Sequence, residues 1–267
     1  MERTAAAYTL LDHRDRSGLA VIFRGALSKN RDVYTLAETA ILRQLLVWDE
    51  TDPRARTLDT RVALVPVYAP DSEAVRALGD ILDNSKGWYL RRAAMILLGF
   101  SGHAEAAPPL LRAMRRPERD RNLNRIIAGL GALRCRDAVP DLLRYMARGH
   151  CDDWGTEDYN GDEADTYAAR ALVNIADPAS VGPIIALLDS ERPELRDLAR
   201  RALTDLFAKD VPQDRCLVPK DNAFKQVRVD ALPPPDDLRA QWTAFWKANR
   251  QHYTWPNAGP PLRPRGR

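Results

Sequence analysis

Three short segments repeat one pattern and decide the fold: residues 74–82 read AVRALGDIL, residues 106–114 read AAPPLLRAM, and residues 138–146 read AVPDLLRYM. Both steps between them are 32 residues long. A fourth copy, SVGPIIALL at residues 180–188, follows after 42 residues, so about ten residues are inserted before it. Repetition at such a period is typical of a chain built from stacked structural units.

Each copy is predicted to form a helix that buries one face. Its apolar residues recur at positions i, i+3, i+4 and i+7 or i+8, and proline stands near the start of three copies, where a helix tolerates the missing N–H. A second helix is predicted after each, as in residues 90–99 (LRRAAMILLG) and 195–203 (LRDLARRAL). One helix pair cannot cover its own apolar face, so stacked pairs are expected to share a continuous core.

These segments resemble HEAT repeats of the short bacterial type, whose second helix reads V-R-x-x-A-x-x-A-L-G. The resemblance covers roughly residues 73–208, and residues 17–48 fit more loosely as a degenerate first repeat, with helices near 17–28 and 33–42. It implies an all-α, right-handed α-solenoid of about five helical hairpins over residues 1–208. It also implies a concave face, lined by the second helices, that holds a partner.

The sequence departs from the family pattern at two positions. The arginine of the second helix is kept as Arg91 and Arg196, but Tyr34, Leu123 and Asp165 stand at the aligned positions. In such solenoids this arginine ties one inter-repeat turn to the next, so an interrupted ladder is expected. The glycine that ends the second helix is kept at Gly99 and Gly131 and replaced by Val173 and Thr204.

The remaining segments are expected to link and cover the repeats. Residues 49–72 join the first two repeats, and residues 62–68 (VALVPVY) within them are expected to be extended. Residues 209–235 form a proline-rich connection. A capping helix at 236–251, within a segment 236–255, is predicted because Trp242, Phe245 and Trp246 follow helical spacing, with packing into the core favoured over an exposed peptide-binding ridge. Residues 256–267 are expected to be disordered.

The composition is that of an ordinary soluble protein, with 45% apolar and 29% charged residues. No apolar run approaches the roughly 18–20 residues of a membrane span, and the start lacks the apolar core of a signal peptide. We therefore expect a cytoplasmic protein. Its three cysteines, Cys135, Cys151 and Cys216, lack the spacing of a zinc site and are expected to be reduced.

The insertion at residues 149–165 is strongly acidic and is a candidate partner-binding loop. Residues 150–165 hold seven carboxylates and neither Lys nor Arg, so a basic partner would relieve their repulsion. The candidate residues are Asp152, Asp153, Trp154, Glu157, Asp158, Asp162 and Glu163. Calcium ligation by Asp158, Asn160, Asp162 and Asp165 is an alternative, but no bidentate Glu closes the loop, so no metal site is assigned. A plain solvated loop also stays open.

The middle of the chain is rich in arginine. Between Arg112 and Arg148, ten arginines face four acidic residues. A patch of this kind suits phosphate groups or an acidic partner, although solvated turn charges are the simpler explanation. The candidate residues are Arg115, Arg116, Arg119, Arg121 and Arg125.

Catalysis finds little support in the sequence. The four histidines are scattered, and no phosphate loop, nucleophile elbow or CxxC centre is present, so no catalytic residue or cofactor is assigned. The leading hypothesis is a non-catalytic scaffold that binds another protein. The alternatives are a nucleic-acid-binding module similar to HEAT-like DNA glycosylases, which would use the arginine-rich middle, and a lyase or chaperone for a cofactor-bearing protein.

Overall fold

A computed structural model describes residues 2–12, 16–44, 46–48, 64–66, 70–116, 123–148, 164–207, 218–219 and 239–254. These residues are mostly helical, as the repeat pattern predicts. The chain divides into two compact units at the Leu133–Arg134 boundary. No described helix is both long and apolar enough to cross a membrane.

The first unit contains seven described helices and one short strand pair. The helices are α1 (Glu2–Asp12), α2 (Leu19–Gly25), α3 (Arg31–Gln44), α4 (Ser72–Asn84), α5 (Trp88–Phe100), α6 (Ala107–Met114) and α7 (Leu123–Ala132). Strands β1 (Leu46–Trp48) and β2 (Leu64–Pro66) pair antiparallel, with Val47 opposite Val65.

The helices of this unit pack as stacked pairs. Helix α2 packs on α3, α4 on α5 and α6 on α7, while α4 contacts both α2 and α6, and α5 contacts both α3 and α7. Leu78, Leu97, Leu110 and Leu130 of the repeated apolar stripes are all buried. The first and second helices of neighbouring pairs therefore lie side by side in two rows, which is the arrangement that the repeat predicts.

The second unit begins with another two helix pairs. Helices α8 (Val139–Arg148) and α9 (Ala164–Ile175) pack together, as do α10 (Val181–Ala186) and α11 (Pro193–Phe207), and α9 also contacts α11. Helix α12 (Arg239–Asn249) packs on α10. Strands β3 (Val218–Pro219) and β4 (Tyr253–Thr254) pair antiparallel.

The predicted C-terminal helix is observed as α12, and its aromatic side chains join a cluster. Phe207 at the end of α11 lies 5.8 Å from Trp242 and 5.3 Å from Phe245, between ring centroids. Tyr253 also meets Phe207 at 5.3 Å. Because Trp242 is only 2% exposed, this aromatic stripe packs into a core and does not form a fully exposed ridge.

Two details differ from the sequence-based expectation. Helix α1 was not anticipated. Residues 64–66 of the segment predicted to be extended form β2, but its pairing with β1, which lies in the predicted first repeat, was not anticipated. The continuity of one solenoid over residues 1–208, its right-handed twist and its count of about five hairpins stay predictions.

The glycines of the family pattern lie next to the ends of the second helices: Gly99 comes one residue before the end of α5, and Gly131 comes one residue before the end of α7. A Cβ on Gly129 would stand 3.2 Å from the Gly99 Cα, so Gly99 and Gly129 allow α5 and α7 to approach closely. The left-handed residues come later, at Gly102 (φ 74°), Arg134 (φ 53°) and Ala176 (φ 52°). Their spacing of 32 and 42 residues equals that of the sequence repeat.

Candidate interaction surfaces

Residues 149–163 of the acidic insertion lie outside the described residues, whereas its last two residues and its flanking helices are described. The candidate residues outside the described part are Asp152, Asp153, Trp154, Glu157, Asp158, Asp162 and Glu163, together with Asn160 of the calcium alternative. Asp165, at the start of α9, is buried and accepts a hydrogen bond from the Thr166 backbone N–H at 2.6 Å. The described part of the chain contains no group of three or more His, Cys, Asp or Glu residues placed to hold a metal ion.

Arg192 anchors the helix that leads into the insertion. Its guanidinium donates to the carbonyl oxygens of Ala147 at 2.6 Å and Arg148 at 2.5 Å, the last two residues of α8. These terminal carbonyls have no acceptor role within the helix, and a cation there also complements the helix dipole. Since α9 packs directly on α8, both helices that flank the insertion are held within the same unit.

The predicted arginine patch is divided by the fold. Arg115 and Arg116 are exposed just after α6, and Arg119 and Arg121 lie outside the described residues. Arg125 is only 3% exposed, because it lies on the buried face of α7. Arg125 therefore does not belong to an exposed arginine patch that could contact phosphate groups.

The second helices α9 and α11 present charged side chains to solvent. Arg170 on α9 lies 6.0 Å from the centroid of the Tyr167 ring, close enough for a cation–π contact. On α11, Asp197 pairs with Arg200 at 3.5 Å. Asp205 is partly exposed, and its partial desolvation raises the pKa of its carboxyl group. The positive charges of Arg170 and Arg201 act to lower this pKa. This face thus carries both signs of charge.

The arginine of the second helix does not tie neighbouring repeats together at Arg196. Its guanidinium donates to the carbonyls of Ser190 at 2.7 Å and Glu191 at 3.2 Å, in the turn before its own helix. Within the described part of the second unit, Arg136 links two inter-repeat turns, because it donates to Asp177 at 2.7 Å. Asp177 is buried, and its hydrogen bond raises the pKa of Arg136.

Sequence reasoning missed the contact between Arg136 and Asp177 because Arg136 does not stand at the family's arginine position. Asp177 was recognisable as a capping residue before Pro178, since Asp commonly accepts from the first N–H groups of a helix. Its partner Arg136 comes 41 residues earlier, and no local pattern joins the two.

Helix pairs that pack on neighbouring helix pairs are typical of an α-helical repeat protein, and both units contain them. Within that class, the family model of the PBS lyase HEAT-like repeat matches residues 166–190, which cover most of α9 and all of α10. The match supports a HEAT-repeat protein. No curated protein matches the chain.

Proposed function

We propose that this protein is a right-handed HEAT-repeat scaffold of about five hairpins that binds another protein. The binding surface is the concave face of the second helices together with the acidic insertion. A basic protein segment is the partner that this insertion favours, because the carboxylates repel one another until a positive charge neutralises them. In repeat proteins, insertions commonly lie in loops that form part of the binding surface.

The observation that carries the proposal is the anchoring of the insertion. Helix α8, which precedes it, has its C-terminal carbonyls bound by Arg192, and α9, which follows it, packs against α8. The repeat matched by the family model begins at residue 166, directly after the acidic segment. A loop held at both ends loses less conformational freedom on binding than a free tail of the same length.

Affinity capture with charge variants tests this proposal. The full chain is compared with a variant carrying Asp152→Asn, Asp153→Asn, Glu157→Gln and Asp158→Asn. A control neutralises four exposed carboxylates elsewhere: Glu2→Gln, Glu105→Gln, Asp137→Asn and Glu194→Gln. Proteins retained by the wild type and the control should be released by the insertion variant and by raised salt.

The proposal fails if all three proteins retain the same set of partners. Thermal melting of each variant shows whether it is folded. A partner lost from the insertion variant and the control alike would indicate dependence on overall charge, and this also counts against the insertion as the binding element.

A further inference from the structure

Two aromatic side chains stand exposed at the start of α5. Trp88 and Tyr89 are each 52% exposed, and among the described residues they are the large hydrophobic side chains that remain exposed. Their ring centroids lie 3.7 Å apart. Aromatic residues are enriched in the cores of protein interfaces, where they supply much of the binding energy.

The helix start explains why the pair points away from the core. The buried stripe of α5 begins one residue later, at Leu90, which is 1% exposed. Gly87, just before the helix, lies against the first turn of α3, since a Cβ on it would stand 3.2 Å from the Tyr34 hydroxyl oxygen. That hydroxyl donates to Glu38 at 2.8 Å. The beginnings of α3 and α5 are therefore adjacent.

The described helix ends of this unit meet on one edge. Tyr34 meets Gly87 at the starts of α3 and α5, and Asp83 accepts from Arg112 at 2.7 Å near the ends of α4 and α6. Like ends of neighbouring helices thus lie together. Exposed cations stand at these helix ends: Arg31, Lys86, Arg115 and Arg116.

Three nearby carboxylates oppose these four cations. Asp83 is paired with Arg112, whereas Glu38, which accepts from the neutral Tyr34 hydroxyl, and the exposed Asp32 keep their negative charge. Within the described part of the chain, neither Lys86 nor Arg116 takes part in an ion pair. The edge therefore combines an exposed aromatic pair with an excess of positive charge.

We propose that this edge, formed by Trp88 and Tyr89 with Arg31, Lys86, Arg115 and Arg116, docks an acidic segment of another protein. The aromatic pair contacts an apolar side chain of that segment, and the cations contact its carboxylates. This surface uses residues and a partner charge different from those of the acidic insertion. The Trp88 and Tyr89 rings lie against each other at an interplanar angle of 31°, so together they form one apolar surface that suits a side chain of a polypeptide.

Fluorescence anisotropy with three labelled probes tests the proposal on the full chain. The probes are a short peptide of Glu, Phe and Pro, the same peptide with Gln in place of Glu, and an oligothymidylate. The acidic peptide should bind, and Trp88→Ala with Tyr89→Ala should weaken it about tenfold or more. Lys86→Gln and Arg116→Gln should each weaken it about two- to threefold at low salt.

The matched control is Lys247→Gln, an exposed cation on α12 that should leave binding unchanged. Melting curves establish that each variant is folded, which is expected because the altered side chains reach solvent. The proposal is overturned if the acidic peptide does not bind, if the Gln peptide binds equally well, or if the aromatic double variant binds like the wild type. Oligothymidylate binding in preference to the acidic peptide would overturn it in favour of a nucleic-acid surface. None of these results depends on the acidic insertion.

Discussion

Three residues that follow the second helices adopt a left-handed backbone at the spacing of the repeat. Only the first of them, Gly102, is a glycine, whereas Arg134 and Ala176 carry a Cβ in the same region of φ. This conformation costs a residue with a Cβ roughly 1–2 kcal/mol of free energy. The turn geometry is therefore kept by the packing of the repeats even where the residue type opposes it.

Substitution of two glycines by alanine should have opposite effects. Gly102→Ala is expected to lower the free energy of unfolding by about 1–2 kcal/mol, because φ is 74° there. Gly182→Ala is expected to raise it by about 0.5 kcal/mol, since this glycine lies in α10 and a Cβ there would meet nothing within 4 Å. Urea denaturation measures both changes, and a stabilised Gly102→Ala protein would contradict the assigned backbone.

At the scale of the element, two aspartates start helical segments in the two units. Asp71 accepts from the Ala74 N–H at 2.7 Å before α4, and Asp177 accepts from the Ala179 N–H at 3.0 Å in the turn before α10. Asp177 differs because it is buried and also accepts from Arg136. A comparison of substitutions at Asp71 and Asp177 therefore distinguishes the energy of the cap from the energy of the ion pair between Asp177 and Arg136.

Removing these carboxylates should cost unequal amounts. Asp71→Ala is expected to destabilise by about 1 kcal/mol, as for a lost helix cap. Asp177→Ala should cost about 2 kcal/mol, because a charge-assisted hydrogen bond to Arg136 is lost as well. Denaturant unfolding of both variants and of Arg136→Ala gives the comparison. Equal losses for Asp71→Ala and Asp177→Ala would show that the ion pair contributes nothing measurable.

The aromatic cluster around Phe207 gives a second prediction for an element. Trp242→Ala on α12 should destabilise by about 3–5 kcal/mol, because the indole is almost fully buried. Trp88→Ala is the matched control, since half of that side chain is exposed and its loss should change stability by about 0.5 kcal/mol or less. Thermal melting compares the two, and a similar effect of both would mean that α12 is not packed as described.

The elements that the sequence predicted best are those with a long apolar stripe. Helices α4 to α11 follow the 3.6-residue pattern at the predicted places, because burial of one face leaves a periodic trace. Helix α1 and the pairing of β1 with β2 were missed, since the first has no strong stripe and the second joins short segments that lie far apart in the sequence.

For the whole molecule, the repeat predicted the stacking of helices but not where the surfaces lie. Arg125 was assigned to a patch by its place in a run of arginines, yet its position on α7 buries it. Trp88 and Tyr89 immediately precede the apolar stripe that begins at Leu90, and no charge run or repeat marks them as a surface. A run of charged residues shows only that they are close in sequence, whereas the exposure of each side chain depends on which face of its helix packs against a neighbouring helix.

A stack of helix pairs should also respond to damage differently from a globule with one centre. Leu97→Ala in α5 and Leu203→Ala in α11 each remove buried methyl groups, at a cost of about 2–5 kcal/mol. In a stack, where each pair contacts only its neighbours, Leu97→Ala should raise amide hydrogen exchange mainly in α3 to α7, and Leu203→Ala mainly in α9 to α12. Mass spectrometry of peptic fragments measures this. If either variant raised exchange equally in all described helices, the chain would unfold as one cooperative body. This result would contradict the continuous core of stacked helix pairs, on which the scaffold proposal depends.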